Sequence, residues 1–290
     1  MKLHKNMYIP SFYLLAIFSI YSTTSFAQVG VSPRLLELSH DAIDKTHAFR
    51  LFNFSKSDIE VNLEIANWTM DEMNELQVIA SDNLSLDQWT VVNPLHFKVN
   101  AGSSQTIRLA FRAPADIPAG EYRTILYFNQ VITDNFPDKK QLRSKFRIGA
   151  AIYLQVGEKL PAAKINSVKL DNHNITLDVT NSGNTHVRFN GYWALWNQQP
   201  NDTAFSLMIK QKNETQSTQS INGLVSYGKM PTTPLLPKHS RLYKIKKPQT
   251  ITAINQRLTF QFVGEFVNQH QLLTIPIDTQ NQSHTTNIAQ

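Results

Sequence analysis

Two long β-type runs joined by a polar loop constrain the fold of this chain more than any other segment. Residues 122–132 (YRTILYFNQVI) are rich in aromatic and β-branched residues, and a second run of this kind covers residues 142–154. The loop between them, residues 133–141, contains Asp, Asn and Pro residues that break regular structure. The pattern predicts a long β-hairpin.

The second strand of this hairpin alternates in polarity. Its mainly apolar face carries Leu142, Ser144, Phe146 and Ile148, and its basic face carries Arg143, Lys145 and Arg147. Such a strand is either half-buried with a solvated basic face, or the edge of a sheet with which another chain pairs. Alternation alone leaves both interpretations open.

The N-terminus has the pattern of a secretory signal peptide. Lys2 and Lys5 precede an apolar core at residues 12–21, and the small residues Ser25 and Ala27 predict cleavage after Ala27. The apolar core is shorter than the roughly 18 residues of a membrane helix, as is every later apolar run. We therefore expect residues 1–27 to be removed and the exported chain not to insert into a membrane.

Composition excludes several classes of function. The chain contains no cysteine, so disulfides and thiol chemistry are absent. Without Lys2 and Lys5, 26 Lys and Arg residues face 22 Asp and Glu residues, and a net charge of +4 without a basic cluster does not predict nucleic-acid binding.

From residue 29 onward the chain is a series of short β-type segments separated by turns. The segments before the hairpin are residues 29–39, 48–54, 59–68, 97–99 and 106–113. About seven strands at spacings of roughly 8 to 15 residues, without a helical period, are typical of an immunoglobulin-like sandwich.

A second series of β-type segments follows a turn-rich break at residues 157–161. We therefore predict two β-sandwich domains, residues 28–157 and 158–277, with residues 278–290 as a disordered polar tail. Asn-containing turns at residues 53–58 and 181–184 follow an early strand in each half, so the halves look like two copies of one fold. The polar residues 198–223 are predicted to form a long loop or irregular hairpin.

No catalytic or metal-binding constellation is present in the sequence. There is no nucleophile elbow, no glycine-rich phosphate loop and no closely spaced carboxylate pair on an apolar background. The nine histidines lack the spacing of metal ligands, and we expect neither an enzyme nor a cofactor. Trp193 and Trp196 could form an aromatic platform for a ligand, although core packing is the favoured interpretation.

Several short segments occur in a recognisable order, although none is specific alone. They are residues 29–36 (VGVSPRLL), 50–53 (RLFN), Trp68, 92–97 (VNPLHF), 105–109 (QTIRL) and 117–129. This ordered set resembles a divergent branch of the periplasmic pilus (fimbrial) chaperones of the chaperone/usher pathway. The resemblance covers most of residues 29–155 and is weaker over residues 156–277.

The resemblance implies a fold, a function and partners. The fold is all-β, with two immunoglobulin-like β-sandwich domains joined at an angle. The function is to bind a pilus subunit that lacks one strand, to complete it with a strand of the first domain, and to deliver it to an outer-membrane usher. The donated side chains would come from Leu142, Ser144, Phe146 and Ile148. Whether the free protein caps its own donor strand by dimerising is left open.

The resemblance also implies an anchor for the C-terminal carboxylate of the subunit. The family uses an Arg and a Lys in the cleft between the domains, and Arg34 stands at the Arg position. The Lys position holds Ala151 or Ile152, so the second anchor is missing unless Lys145 or Arg147 replaces it. The alternative to a periplasmic chaperone is a secreted structural or adhesive immunoglobulin-like protein without chaperone activity.

Overall fold

The regular secondary structure of the described residues is almost entirely β-strand, arranged in four sheets. The computed structural model describes residues 28–71, 75–131, 145–213, 221–249, 251, 258–267 and 269–279. Its helical elements are a 3-10 turn at His40–Ala42 and the helix α1 at Asp202–Asn213. The strands are β1 (Val29–Ser32), β2 (Leu35–Ser39), β3 (His47–Asn53), β4 (Ile59–Met70), β5 (Leu76–Ile79), β6 (Thr90–Asn93), β7 (His96–Val99), β8 (Ser104–Phe111), β9 (Gly120–Val131), β10 (Arg147–Val156), β11 (Ala163–Leu170), β12 (Asn174–Asn181), β13 (Asn190–Trp196), β14 (Leu224–Lys229), β15 (Ser240–Lys246), β16 (Thr259–Phe266), β17 (Gln269–Pro276) and β18 (Asp278–Thr279).

The first sandwich packs two sheets face to face. One sheet has the order β1-β3-β8-β6, and the other has the order β2-β10-β9-β4-β5, with β7 also paired to β4. Alternation in β3 turns Phe49 and Leu51 into the core, where they meet Val61, Leu126 and Phe128 from the opposite sheet. The predicted hairpin is confirmed, because its two runs overlap β9 and β10, which pair antiparallel.

The second sandwich repeats this plan with fewer strands. Its sheets have the orders β15-β12-β11-β18 and β14-β13-β16-β17. Leu177 and Val179 of β12 face Phe260 and Phe262 of β16 across the core. Trp193 is buried in this core and Trp196 is buried on the other face of β13, so both are packed against other residues, as the favoured interpretation predicted.

Every described strand pair joins residues within 29–156 or within 163–279. This confirms the predicted fold class of two immunoglobulin-like β-sandwich domains, and we propose 28–157 and 158–277 as their approximate limits. Asp278 and Thr279 pair with Lys169 and Leu170 of β11, so the tail predicted at 278–290 begins two residues too early. The prediction rested on polar composition, which does not detect backbone hydrogen bonds such as those that hold these two residues. The predicted signal peptide, residues 1–27, and residues 280–290 lie outside the described residues.

The polar segment 198–223 also departs from the prediction, because it contains the helix α1. Phe205 and Met208 are buried on this helix and pack against Trp196 on the outer face of β13. Gln261 connects both elements, since it accepts a hydrogen bond from Trp196 Nε1 at 3.0 Å and donates one to Asp202 at 2.6 Å. A stripe of only a few apolar residues was too short to signal a helix in the sequence. In the described ranges, no helix is both long and apolar enough to cross a membrane.

A buried asparagine closes a turn in each sandwich, where the sequence showed similar Asn-containing turns. Nδ2 of Asn53 donates hydrogen bonds to the carbonyl oxygens of Ser57 at 2.8 Å and Val99 at 3.1 Å. Nδ2 of Asn181 donates in the same manner to the carbonyl oxygen of Leu235 at 3.0 Å. Both side chains are fully buried, so each amide satisfies backbone groups that water cannot reach.

Replacing Asn53 by Ala should therefore lower the free energy of unfolding by about 2–4 kcal/mol, because buried carbonyl groups lose their donors. Urea denaturation followed by tryptophan fluorescence measures this loss. The matched control is Asn172→Ala in an exposed turn, which should change stability by less than about 0.5 kcal/mol. Equal losses for the two variants would contradict the role assigned to Asn53.

Candidate functional site

Strand β10 has one edge that is only partly covered. Its inner edge pairs with β9 from Arg147 to Val156. Its outer edge pairs with β2, in parallel, only from Ala151 to Gln155. In the described part of the chain, no strand pairs with the outer edge at residues 147–150, and we call this stretch the free edge.

Half of the backbone groups at the free edge point away from β9. The carbonyl of Phe146 accepts a hydrogen bond from the amide of Gln130 on β9 at 3.1 Å. Because hydrogen-bonding direction alternates along an antiparallel strand, Arg147 and Gly149 turn their N–H and C=O groups away from β9. Unpaired groups of this kind are a template for β-augmentation.

The apolar side chains at the free edge lie at the margin of the first core. Phe146 and Ile148 are half-buried and pack against it, whereas Ala150 and Ile152 further along are fully buried. The apolar face predicted from alternation is thus the core face of the sandwich. Leu142 and Ser144, the other predicted donor residues, lie outside the described residues.

The opposite face of β10 is held by a charged residue. The Arg147 guanidinium lies 3.8 Å from the centre of the Tyr127 ring and donates to the Glu64 carboxylate at 3.1 and 3.2 Å. Asn129 Nδ2 also donates to Glu64 at 3.1 Å. These contacts fasten the start of β10 to β9 and β4, which keeps the free edge extended.

A groove opens beside the start of the free edge. Its volume is about 620 Å³, and it is lined by Asn62, Leu63, Glu64, Asn129, Lys145, Phe146 and Arg147. The half-buried ring of Phe146 forms its apolar part, and the ion pair described above forms its polar part. An incoming side chain can therefore enter beside Phe146.

Arg34 lies at the other end of the free edge. The chain crosses from one sheet to the other between β1 and β2, and Arg34 is the exposed residue directly before Leu35, which pairs with Ala151. Lys145 and Arg147 are at least four residues from Ala151 along β10, or about 13 Å at the rise of a strand. The structure thus places these two candidate accessory anchors at the opposite end from Arg34.

The face of β10 that carries Tyr153 meets the second sandwich. Leu236, fully buried, packs against Trp68 and Tyr153 in a cluster that includes the half-buried Leu35 and Ala151. The strand that bears the free edge is therefore also the strand against which the second sandwich rests.

The chain is similar in structure to solved fimbrial chaperones. The class 5 fimbriae chaperone CfaA is 15% identical, with 86% of this chain and 99% of that chain covered and a TM-score of 0.46. A chain of the CsuC–CsuE chaperone and tip adhesion subunit complex from Acinetobacter baumannii is 14% identical, with coverages of 88% and 100% and a TM-score of 0.46. The CupB2 chaperone of Pseudomonas aeruginosa is 10% identical, with coverages of 86% and 100% and a TM-score of 0.44. No protein-family model matches the chain, and no curated protein sequence matches it. At these identities and TM-scores the likeness supports no residue-level assignment.

A glycine in the free edge leaves room on β10 for side chains of the neighbouring strand β9. A Cβ atom at Gly149 would lie 2.7 Å from Cδ1 of Ile125 and 3.1 Å from Cε1 of Tyr127. Ile125 is buried and Arg147 lies over the Tyr127 ring, so an added methyl group requires packed side chains to shift.

We expect Gly149→Ala to lower the free energy of unfolding by about 1–3 kcal/mol through overpacking. Ile125→Val removes the Cδ1 methyl group that the new side chain would strike, so it should recover most of the loss in the Gly149→Ala background. A double-mutant cycle measured by urea denaturation tests this. Simple additivity of the two single losses would show that the predicted collision does not occur.

Proposed function

We propose that this protein is a periplasmic chaperone of fimbrial assembly that binds a fimbrial subunit through the free edge of β10. The observation that carries the proposal is the uncovered stretch at residues 147–150. Half-buried Ile148 lies within this stretch, and half-buried Phe146 directly precedes it. The ordered segments of residues 29–155 that resemble the family support the same conclusion.

The free edge offers what an incomplete sandwich lacks. A subunit without its last strand exposes apolar core and unpaired backbone groups, and each unpaired buried group costs more than about 1 kcal/mol. Arg147 and Gly149 supply backbone donors and acceptors, while Phe146 and Ile148 lie at the margin where a second core can cover them. Pairing therefore buries both kinds of exposed surface at once.

Arg34 favours one direction for the incoming strand. β2 runs parallel to β10 on the same edge and begins beside Arg34. A partner strand that runs in this direction along residues 147–150 would end at Arg34, so its terminal carboxylate would meet the guanidinium. An antiparallel strand would not present a carboxyl end there. We infer that the C-terminal strand of the subunit docks parallel to β10.

Arg34 is the only carboxylate ligand that we assign in this proposal. Arg147 is engaged by Glu64 and Tyr127, and both Arg147 and Lys145 are distant from Arg34 along the strand. Ala151 and Ile152, at the position where the family has its Lys, offer no charge. The subunit complex would then be delivered to an outer-membrane usher, after export of the chain to the periplasm.

Co-expression tests the proposed activity. The exported chain should co-purify with a co-expressed pilin that lacks its last strand, in a one-to-one complex. The same pilin with its missing strand supplied as a C-terminal fusion is the matched control, and it should not be captured. Equal capture of both pilins, or capture of neither, would favour the structural or adhesive alternative. Purification without a pilin shows whether the free chain forms a dimer.

Ile148→Thr should weaken subunit capture by at least about tenfold while lowering the stability of the free protein by only about 1–2 kcal/mol. The Ile148 side chain is half-buried in the free protein and would be more fully buried in the complex. The substitution should therefore remove more apolar contact from the complex than from the free protein. Leu38→Thr is the control, because Leu38 is half-buried against the same core on β2, away from the free edge. If both variants weaken capture equally, loss of stability explains the effect.

Arg34→Ala should cost the complex on the order of 2–5 kcal/mol with little change in the free protein, because Arg34 is exposed before binding. Arg34→Lys should restore only part of the affinity, since an ammonium lacks the bidentate fork. Titration calorimetry with purified subunit measures both variants, and Arg108→Ala on the other sheet is the control. Wild-type affinity of Arg34→Ala would show that strand pairing alone holds the complex.

A further inference from the structure

A buried carboxylate of the first sandwich is bound by the loop that precedes β13 in the second sandwich. Oε2 of Glu121 accepts hydrogen bonds from Thr185 Oγ1 at 2.9 Å, from the His186 amide at 2.8 Å and from His186 Nδ1 at 2.6 Å. The side chains of Glu121 and His186 are only 2% and 5% exposed. Three bonds across the contact between the sandwiches thus end on one oxygen.

The other nitrogen of the same imidazole faces a second carboxylate. His186 Nε2 lies 3.2 Å from Oε1 of Glu37 on β2, and the ring stacks on Tyr153 with centroids 4.1 Å apart. A carboxylate accepts hydrogen bonds, and a neutral imidazole has one N–H group. Only the protonated imidazolium can donate to Glu121 and Glu37 at the same time.

Burial and the neighbouring groups shift the pKa of His186 in opposite directions. Burial lowers the pKa of His186 and so does the nearby Arg188, but the hydrogen bonds to Glu121 and Glu37 outweigh them, and the pKa is raised above 6.5. The hydrogen bond from His186 lowers the pKa of Glu37, against its partial burial, and Lys159 adds to the lowering.

The stacked ring contributes no charge of its own. Burial raises the pKa of Tyr153, so its hydroxyl stays neutral over the physiological range, and it accepts a hydrogen bond from Arg188 Nη2 at 3.2 Å. Arg123, the other cation near this ring, donates its Nε–H to the carbonyl of Trp68 at 2.9 Å.

We propose that His186 is a proton-operated latch between the two sandwiches. When protonated it joins Glu121 on β9 to Glu37 on β2, and when it loses its proton the bond to Glu37 is lost and the contact loosens. The proposal does not depend on chaperone activity.

The pH window follows from the direction of each shift. A group whose pKa is raised in the folded state stabilises the contact fully below its unfolded pKa near 6.5, and this effect is lost as pH rises through the folded value. Glu37, with a lowered pKa, stabilises the contact above 4.5, and its effect is lost as pH falls through the folded value. The latch is therefore closed most firmly between pH 4.5 and 6.5.

The His186 amide reports directly on the latch, because it donates to Glu121. Hydrogen exchange of this amide by NMR, corrected for intrinsic rate, should show protection that falls above pH 6.5 by about tenfold for each unit by which the pKa is raised. Proton titration of the imidazole in the same sample should give a value above 6.5. Constant protection from pH 6 to 9, or a titration at or below 6.5, would overturn the proposal.

Two variants separate the latch from general stability. Glu37→Gln keeps a hydrogen-bond acceptor but removes the charge, so it should lower the imidazole pKa and flatten the pH dependence of protection. His173→Gln, in the exposed turn before β12, is the control and should leave both profiles at the wild-type values. If Glu37→Gln also leaves both unchanged, the two-carboxylate latch is wrong.

Because the chain has no cysteine, introduced cysteines can be labelled specifically, which allows a distance between the sandwiches to be measured. Spin labels on Lys56→Cys and Lys246→Cys, both exposed, report the distance between the two. The distance distribution should be narrow at pH 6 and broader at pH 9, and it should be broad at both values after His186→Gln. Equal widths at both pH values in the otherwise wild-type chain would show that the latch does not control the contact. This outcome needs only the labelled wild-type chain, so it holds even if His186→Gln fails to fold.

Discussion

The antiparallel ladder between β9 and β10 is the interaction on which both the candidate site and the contact between the sandwiches depend. It runs unbroken from Arg147 to Val156. One face of β10 fills the first core with Ile152 and Leu154, and the other face supports Leu236 of the second sandwich. Both faces of β10 are thus occupied, and among the described residues the outer edge at 147–150 has no paired strand. A disturbance of the ladder would therefore reach the free edge and the second sandwich together.

The contact between the sandwiches combines two kinds of force with different roles. Burial of Leu236 against Trp68 and Tyr153 removes apolar surface from water but does not define an orientation. The bonds that end on Glu121 have fixed directions, and a buried carboxylate that loses its donors costs several kcal/mol. An alternative orientation of the sandwiches that left Glu121 without hydrogen-bond donors would therefore cost more free energy than the loss of apolar contact alone.

The sequence predicted the elements well where a single rule applied. Alternation identified β3, β4 and β8, although β6 was missed and β1 and β2 were joined as one segment. It also placed Phe146 and Ile148 on the same face of β10, because a period of two residues fixes which face a side chain occupies. It could not show that the outer edge of β10 is uncovered, because that depends on where β2 ends its pairing at Ala151. Whether the two residues contact a subunit remains a prediction.

The buried polar cluster lay beyond sequence reasoning for a different reason. Glu121 and His186 are 65 residues apart and belong to different sandwiches, so no local spacing relates them. Helix α1 was missed because its buried stripe is short, and the hydrogen bonds through Gln261 that secure it join distant residues.

The parallel pairing of β2 with β10 sets an order of events during folding. Leu35 is in the second strand of the chain, and its partner Ala151 is in the last strand of the first sandwich. Closing a loop of more than about a hundred residues is slow relative to local hairpin formation, so this pair should form late. Arg34 reaches its place beside the free edge only when that pair has formed. Until the last strand of the first sandwich has paired, the proposed carboxylate ligand therefore has no fixed position relative to the free edge.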